Sequence, residues 1–393
     1  MVFTTELLNL SNNFGNLKQF TGLYILLPIA NFPNFAAFME KNTLQQHRPV
    51  AIWLFIGVGM IIIQVLLGGI TRLTGSGLSI TEWQPILGAL PPMTEQAWQA
   101  AFDKYKDIAQ FKYVNSHFTL ADFKSIYFWE WLHRDWARLM GIVFALPFMY
   151  FVTKKKIDNT MIKPMLILFL LGALQGAIGW IMVQSGLNEE NLYVSHIRLA
   201  VHFMAALLLL CYVLWFALRL STPGQDILYA PSLRRLNSWL LVLLTLQLIY
   251  GAFMAGLHAA LSASTWPDIN GMWWPSGMFR QGGFLADITH NHITIQFIHR
   301  GLAYLISILV AIWWWKAAQT PVYSRLHRIR YLPLLLVLLQ VLLGVLTVMS
   351  SQVKIPMLLA ILHQFTGMLL LLALVWTLFL TNSKAIVAGK VAA

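Results

Sequence analysis

"FWEWLHRDWARLMG", residues 128–141, opens an apolar run that continues to Lys154, yet it carries Glu130, His133, Arg134, Asp135 and Arg138. A second stretch, "QFIHRGLAYL" at 296–305, repeats its His-Arg-x-x-Ala-x-Leu pattern. Ionisable side chains in a segment able to cross a bilayer are expensive and rare, and they mark function by default. Two such stretches in one chain point to a duplicated membrane unit with a buried reaction or binding site.

The rest of the chain supplies the membrane. Of 393 residues, 58% are hydrophobic and 11% charged, too apolar for a soluble domain of this length. About 20 apolar residues span the hydrocarbon layer. Eight runs qualify, at 49–70, 129–152, 163–183, 196–218, 237–257, 294–315, 331–349 and 357–380. Lipid offers no partner to an open sheet edge, so an all-α integral membrane protein follows. The net charge of +12 is not a nucleic-acid patch. Lys154, Lys155, Lys156 and Lys163, then Arg219, Arg234 and Arg235, then Lys316, Arg325, Arg328 and Arg330 occupy alternate loops, while Lys41 and Arg48 precede the first run. The positive-inside rule makes these loops and both termini cytoplasmic and turns the remaining loops outward. The single cysteine, Cys211, lies within the fourth run and excludes both an intramolecular disulfide and a cysteine-based metal centre. Residues 1–47 lack the composition of a cleaved signal or transit peptide, and the stretch broken by Pro28, Asn31 and Pro33 reads as interfacial or disordered.

A repeat organises the eight runs. The odd-numbered ones carry Gln64-x-x-x-Gly68, Gln175-x-x-x-Gly179, Gln247-x-x-x-Gly251 and Gln340-x-x-x-Gly344, and the even-numbered ones carry His133, His202, His299 and His363 near their outward ends. Two pseudo-symmetric four-helix bundles are expected: residues 48–222, a cytoplasmic linker at 223–236, residues 237–382, and a tail at 383–393. The Gln-x-x-x-Gly spacing reads as helix packing, glycine permitting close approach and glutamine bonding across the contact. One histidine from each of two helices per half is the arrangement that grips a haem iron from both sides. Zinc would need further ligands at that depth. Structural or proton-relay histidines are the plain alternative.

His196 and His202, six residues apart on a helix, point to faces about 120° apart, and His202 is taken as the inward one. His292, on the face of His299, is a candidate for the pocket mouth, whereas His47, His117, His258, His290 and His327 are expected at the surface. Arg134, Arg138, Arg198 and Arg300 are candidate propionate contacts, since guanidinium matches carboxylate in a fork; interfacial snorkelling is their ordinary use. The halves differ at one informative position: Glu130 precedes His133 by three residues, and Gln296 precedes His299 by three. An ionisable group beside one haem and its neutral isostere beside the other point to one site that performs chemistry and one that passes electrons. An ion pair from Glu130 to Arg134 is the structural alternative.

Five stretches together, "GGITRLTGSGLSITEWQPILGALPP", "EWLHRDWARLMG", "VSHIRLAVHF", "QFIHRGLAYL" and "LAILHQFTG", resemble the heme A synthase family over residues 49–380. The resemblance implies oxidation of a methyl group of heme O to the formyl group of heme A by successive hydroxylations and loss of water, for cytochrome oxidase biogenesis, with heme B as cofactor. It implies Glu130 as the catalytic carboxylate, His133 and His202 at the substrate haem, and His299 and His363 as axial ligands of heme B. It also implies a bacterial cytoplasmic membrane location with haem sites toward the outer face, an unidentified electron donor, and heme O synthase and oxidase assembly factors as partners. Some members carry a cysteine pair in the first outer loop; its absence here resembles the mitochondrial and proteobacterial subtype. Two rival readings of the same residues stand: a bis-His dihaem cytochrome of quinol electron transfer, and a haem-binding transporter without catalysis.

Overall fold

A computed structural model of the chain describes residues 33–84, 87–280 and 282–381. Residues 1–32 and 383–393 of the expected N-terminal segment and tail lie outside the described residues. Among those described, eight helices are long and apolar enough to cross a membrane: α1 (Leu44–Leu73), α2 (Leu120–Thr153), α3 (Asn159–Gln184), α4 (His196–Ser221), α5 (Pro231–Gly256), α6 (His292–Ala317), α7 (Arg325–Met349) and α8 (Met357–Leu380). No strand occurs among the described residues, and a single isolated bridge joins Ile269 and Met272. The chain is an all-α integral membrane protein.

Several helices start earlier than the sequence expectation, and two of these shifts change the loops. α2 starts nine residues before 129, because Phe123, Ile126 and Tyr127 in its first turns are buried in a cluster with Leu78, Phe102, Tyr105 and Ile108 of the preceding loop. The linker expected at 223–236 is shorter: α5 begins at Pro231, whose fixed φ suits the first turn, so Arg234 and Arg235 are helical.

Most of the apolar core lies toward the basic-loop ends of the helices. Val50, Leu54, Met165, Leu210, Ala217, Leu240, Val310, Trp313 and Leu374 belong to one cluster that draws on α1, α3, α4, α5, α6 and α8. α7 packs on α8, α5 on α6 and α3 on α4, and packing also crosses the repeat, α4 against α5 and α8 against both. At the opposite ends the helices part around a cavity.

Side-chain caps set where three of the even-numbered helices begin there. Thr119 and Asp122 form a reciprocal capping box on α2, Ser195 accepts from Arg198 N on α4, and Asn291 accepts from Ile293 N and Thr294 N on α6. His202 follows its cap by seven residues, or about 10 Å at 1.5 Å per residue, so the cap fixes its depth.

Candidate haem site

One cavity of about 870 Å³ is lined by all four repeat histidines, the four repeat glutamines and the four repeat glycines. Each glycine faces an imidazole. A Cβ on Gly68 would lie 3.1 Å from His133 Cε1, on Gly179 3.0 Å from His202 Cε1, on Gly251 3.4 Å from His299 Cε1, and on Gly344 2.8 Å from His363 Cε1. The glutamine one turn earlier approaches the same ring: Gln64 Nε2 is 3.5 Å from His133 Nε2, Gln247 Nε2 3.3 Å from His299 Nε2, and Gln340 Nε2 3.3 Å from His363 Nε2. Gln-x-x-x-Gly is thus a histidine seat and not only a packing motif. Four residues are one turn, so glycine clears room for the ring and glutamine meets its edge.

These contacts set a glutamine amide against the Nε2 edge of three of the four rings. His363 Nδ1 lies 3.0 Å from Gln340 O, which orients the ring with Nε2 outward. The His299 and His363 ring centroids are 6.4 Å apart. Two imidazoles on opposite sides of one metal, with metal–nitrogen bonds of about 2 Å, need roughly that separation. His133 and His202 line the same cavity. Gln64, Gln175, Gln247 and Gln340 each bury an Oε1 without a hydrogen-bond partner, as do His133, His202 and His299 at Nδ1. Buried polar atoms are normally paired, and a matched set of seven around one cavity fits a large polar-edged group held by the pairs. Among the described residues no group of three or more His, Cys, Asp or Glu side chains is arranged to hold a metal ion. The donor set therefore suits a macrocycle that brings its own equatorial ligands, not zinc.

Glu130 is 2% exposed. Its Oε2 accepts from Ser79 Oγ at 2.7 Å and from Ile80 N at 2.8 Å, and its Oε1 accepts from Arg134 at 2.6 Å. The ion pair with Arg134 is real, and the carboxylate also pins the loop after α1. Gln296 occupies the matching place with reversed polarity: its Nε2 donates to Ala259 O at 2.6 Å and Ala263 O at 3.2 Å, and its Oε1 accepts from Arg300 at 2.5 Å. The Glu/Gln difference thus also tracks what each loop offers, N–H and O–H in one half and carbonyls in the other.

The candidate arginines hold loop carbonyls. Arg134 donates to Ile80 O and Glu82 O, Arg138 to Gln84 O, Arg198 to Ile181 O, and Arg300 to Thr265 O, Asp268 O and Ala263 O. Arg134, Arg138 and Arg300 also line the cavity, whereas Arg198 does not.

Comparisons with known proteins identify the family. The family model described as "Cytochrome oxidase assembly protein" matches residues 51–375. A heme A synthase of Rhodospirillum centenum is 42% identical over 334 residues, 85% of this chain and 88% of that protein. One from Flavobacterium johnsoniae is 39% identical over 339 residues, 85% and 98% respectively, and one from Nitrosomonas eutropha is 38% identical over 345 residues, 87% and 96%. The chain belongs to the heme A synthase family.

In this heme A synthase family member several histidines differ from expectation. His47 is 5% exposed, not at the surface, and its Nε2 lies 3.3 Å from an Asp158 carboxylate oxygen. His258 lines the cavity, meets the Tyr193 ring in a tilted contact with centroids 4.8 Å apart, and is pushed down to about 4 by burial, with Arg72 and His292 adding to the shift. Its left-handed φ of 52° at the end of α5 directs it there, which no spacing rule on the sequence could have reported. His292 bonds Ser262 and His196 bonds Thr289 O, and neither lines the cavity. Arg72, also unforeseen, lines the cavity and donates to Ala255 O of α5 across the repeat. Its place in the "GGITRLTG" stretch was the signal available.

Proposed function

We propose that this protein is a heme A synthase that oxidises a methyl substituent of heme O to the formyl group of heme A by successive hydroxylations and loss of water. The observation that carries the reading is the pair of histidine seats in one cavity, with a buried carboxylate beside only one of them.

In this reading His133 and His202 would hold the substrate haem, and His299 and His363 would hold a resident heme B. When bound there, heme B supplies one-electron redox chemistry. Gly68, Gly179, Gly251 and Gly344 let the rings approach their helices, and Gln64, Gln247 and Gln340 lie against the Nε2 edges of His133, His299 and His363. Glu130 sits one helical turn from His133 as a fixed negative charge, placed to stabilise positive charge at the methyl carbon or to exchange a proton there; Arg134, Ser79 and Ile80 hold it in place. Propionates would compete with loop carbonyls for Arg134, Arg138, Arg198 and Arg300, because a carboxylate accepts more strongly than an amide oxygen. Apolar side chains of α1, α3 and α5 line the cavity and would face the macrocycle.

The alternation of basic loops supports cytoplasmic termini, with the histidine end facing outward across the bacterial inner membrane. Electrons come from an unidentified donor. Heme O synthase would deliver the substrate, and oxidase assembly factors would take the product. The test is extraction and mass analysis of haems from membranes with and without the chain. A formyl haem that appears only with the active protein is expected, and unchanged heme O would reject the enzyme in favour of a dihaem cytochrome or a carrier.

A further inference from the structure

The two histidine seats are joined through one side chain. Gln364 follows His363 on α8, and its Nε2 donates to Val65 O of α1 at 3.0 Å. A Cβ on Gly69 would lie only 2.5 Å from its Oε1, so the contact exists because position 69 has no side chain. Val65 and Gly69 are each adjacent to a part of the His133 seat. Gln64 donates to His133 O at 3.1 Å, and Gly68 faces the His133 ring. Gln364 thus stands one residue from His363 and one residue from both halves of the His133 seat.

The repeat shows that this contact is not imposed by the fold. The counterpart of Gln364 is Phe203, next to His202, and the counterpart of Gly69 is Ala252, next to Gly251. Phe203 packs in an apolar cluster with Ala252 and Ile249, where α4 meets α5. The α4–α5 seam is apolar at this position, whereas the α8–α1 seam carries a hydrogen bond with a defined length and direction.

We propose that Gln364 is a positioning residue that sets the separation and mutual orientation of the two histidine pairs, seated on Gly69, so that electrons from the resident site reach the substrate site. This rests on the two-site reading above. Neither residue is assigned to contact a haem iron; both act through the helices that carry the ligands.

The test uses the purified full chain. Gln364→Leu keeps the bulk and removes the bond, while Val65 O retains its helical partner. With both pairs loaded, Gln364→Leu should keep the low-spin spectrum of the resident haem and the wild-type KM for heme O. It should alter the magnetic coupling between the two ferric centres and lower kcat on the order of 10²-fold, the scale of a group misplaced by about 1 Å. Gly69→Ala should lower the thermal transition temperature by displacing Gln364, and Gly69→Ala with Gln364→Ala should restore that temperature but not the coupling. Full loading with wild-type coupling and kcat in Gln364→Leu would overturn the proposal. If the wild-type protein binds no haem at either pair, the enzyme reading fails by itself, and absence of thermal rescue in the double variant then rejects the tie.

Discussion

At the scale of single residues, the site is a set of tight fits whose tolerances differ. Gly344 leaves a Cβ 2.8 Å from the His363 ring, a distance that forces movement, whereas Gly251 leaves 3.4 Å, an ordinary contact. Gly344→Ala should therefore displace His363, cost about 1–3 kcal/mol through overpacking and lose the bis-His spectrum of the resident haem. Gly251→Ala should be neutral or slightly stabilising, since alanine is favoured over glycine in a helix by up to about 1 kcal/mol. Absorption spectra and thermal transitions of the two proteins check both. Glu130 allows a second test. Glu130→Gln should abolish formyl haem while the His299/His363 haem remains, because the amide still accepts from Ser79 and Ile80 but lacks the charge. Arg134→Gln leaves a buried carboxylate without its cation and should lower protein yield, a loss of about 3–5 kcal/mol by the precedent of broken buried pairs, reduced here because the Arg134 side chain is 21% exposed. Near-normal heme A from a well-folded Glu130→Gln protein would remove the catalytic role and leave Glu130 as a loop anchor.

At the scale of elements, the loop between α1 and α2 is built around Tyr105. Its ring is fully buried against Phe111 and Phe123, its hydroxyl donates to Gln110 Oε1 at 2.9 Å, and it accepts from Asn115 Nδ2 at 2.8 Å. Gln110 is itself 3% exposed and lines the cavity. Tyr105→Phe should cost about 1–3 kcal/mol, since it strands the Gln110 oxygen, and the loss should appear as a lower thermal transition. Burial and, secondarily, the Glu130 charge push the Tyr105 hydroxyl up to about 12. A folded-state pKa above the ordinary value of 10 means that the neutral hydroxyl stabilises the fold fully below pH 10. That stability is lost as pH rises from 10 through 12. The wild-type and Tyr105→Phe proteins should thus differ least in stability at the alkaline end of that window. A gap that widens between pH 10 and 12 would contradict this role for the hydroxyl.

At the scale of the whole molecule, the packed basic-loop end holds the bundle together, and the four repeat histidines line a cavity. Reporter fusions after Lys156 and Arg330 should read cytoplasmic and a fusion near Asp107 external, by the charge asymmetry of the loops. The reverse pattern would place both histidine pairs on the cytoplasmic side. Replacement of His299 or His363 should remove the resident haem, while replacement of His133 or His202 should spare it and block substrate conversion. Haem content per protein after each change measures this division.

Apolar run length determined by itself that eight helices cross a membrane, because hydrocarbon leaves backbone groups no other partners. The recurrence of Gln-x-x-x-Gly on the odd-numbered helices and of one histidine on each even-numbered helix marked the four matched positions. The match of five motifs carried the family. What the glycines face was decided only in three dimensions: the spacing that reads as helix packing is an imidazole seat, since packing and seating both require a missing Cβ and differ only in the neighbouring atom. The reversal of hydrogen-bond polarity between Glu130 and Gln296 depends on loop backbone that no helical period encodes. His258 entered the cavity through a left-handed turn, and Gln364 reached α1 across 299 residues of sequence. Such contacts arise from chain reversal and helix approach, which local sequence constrains weakly and tertiary packing fixes.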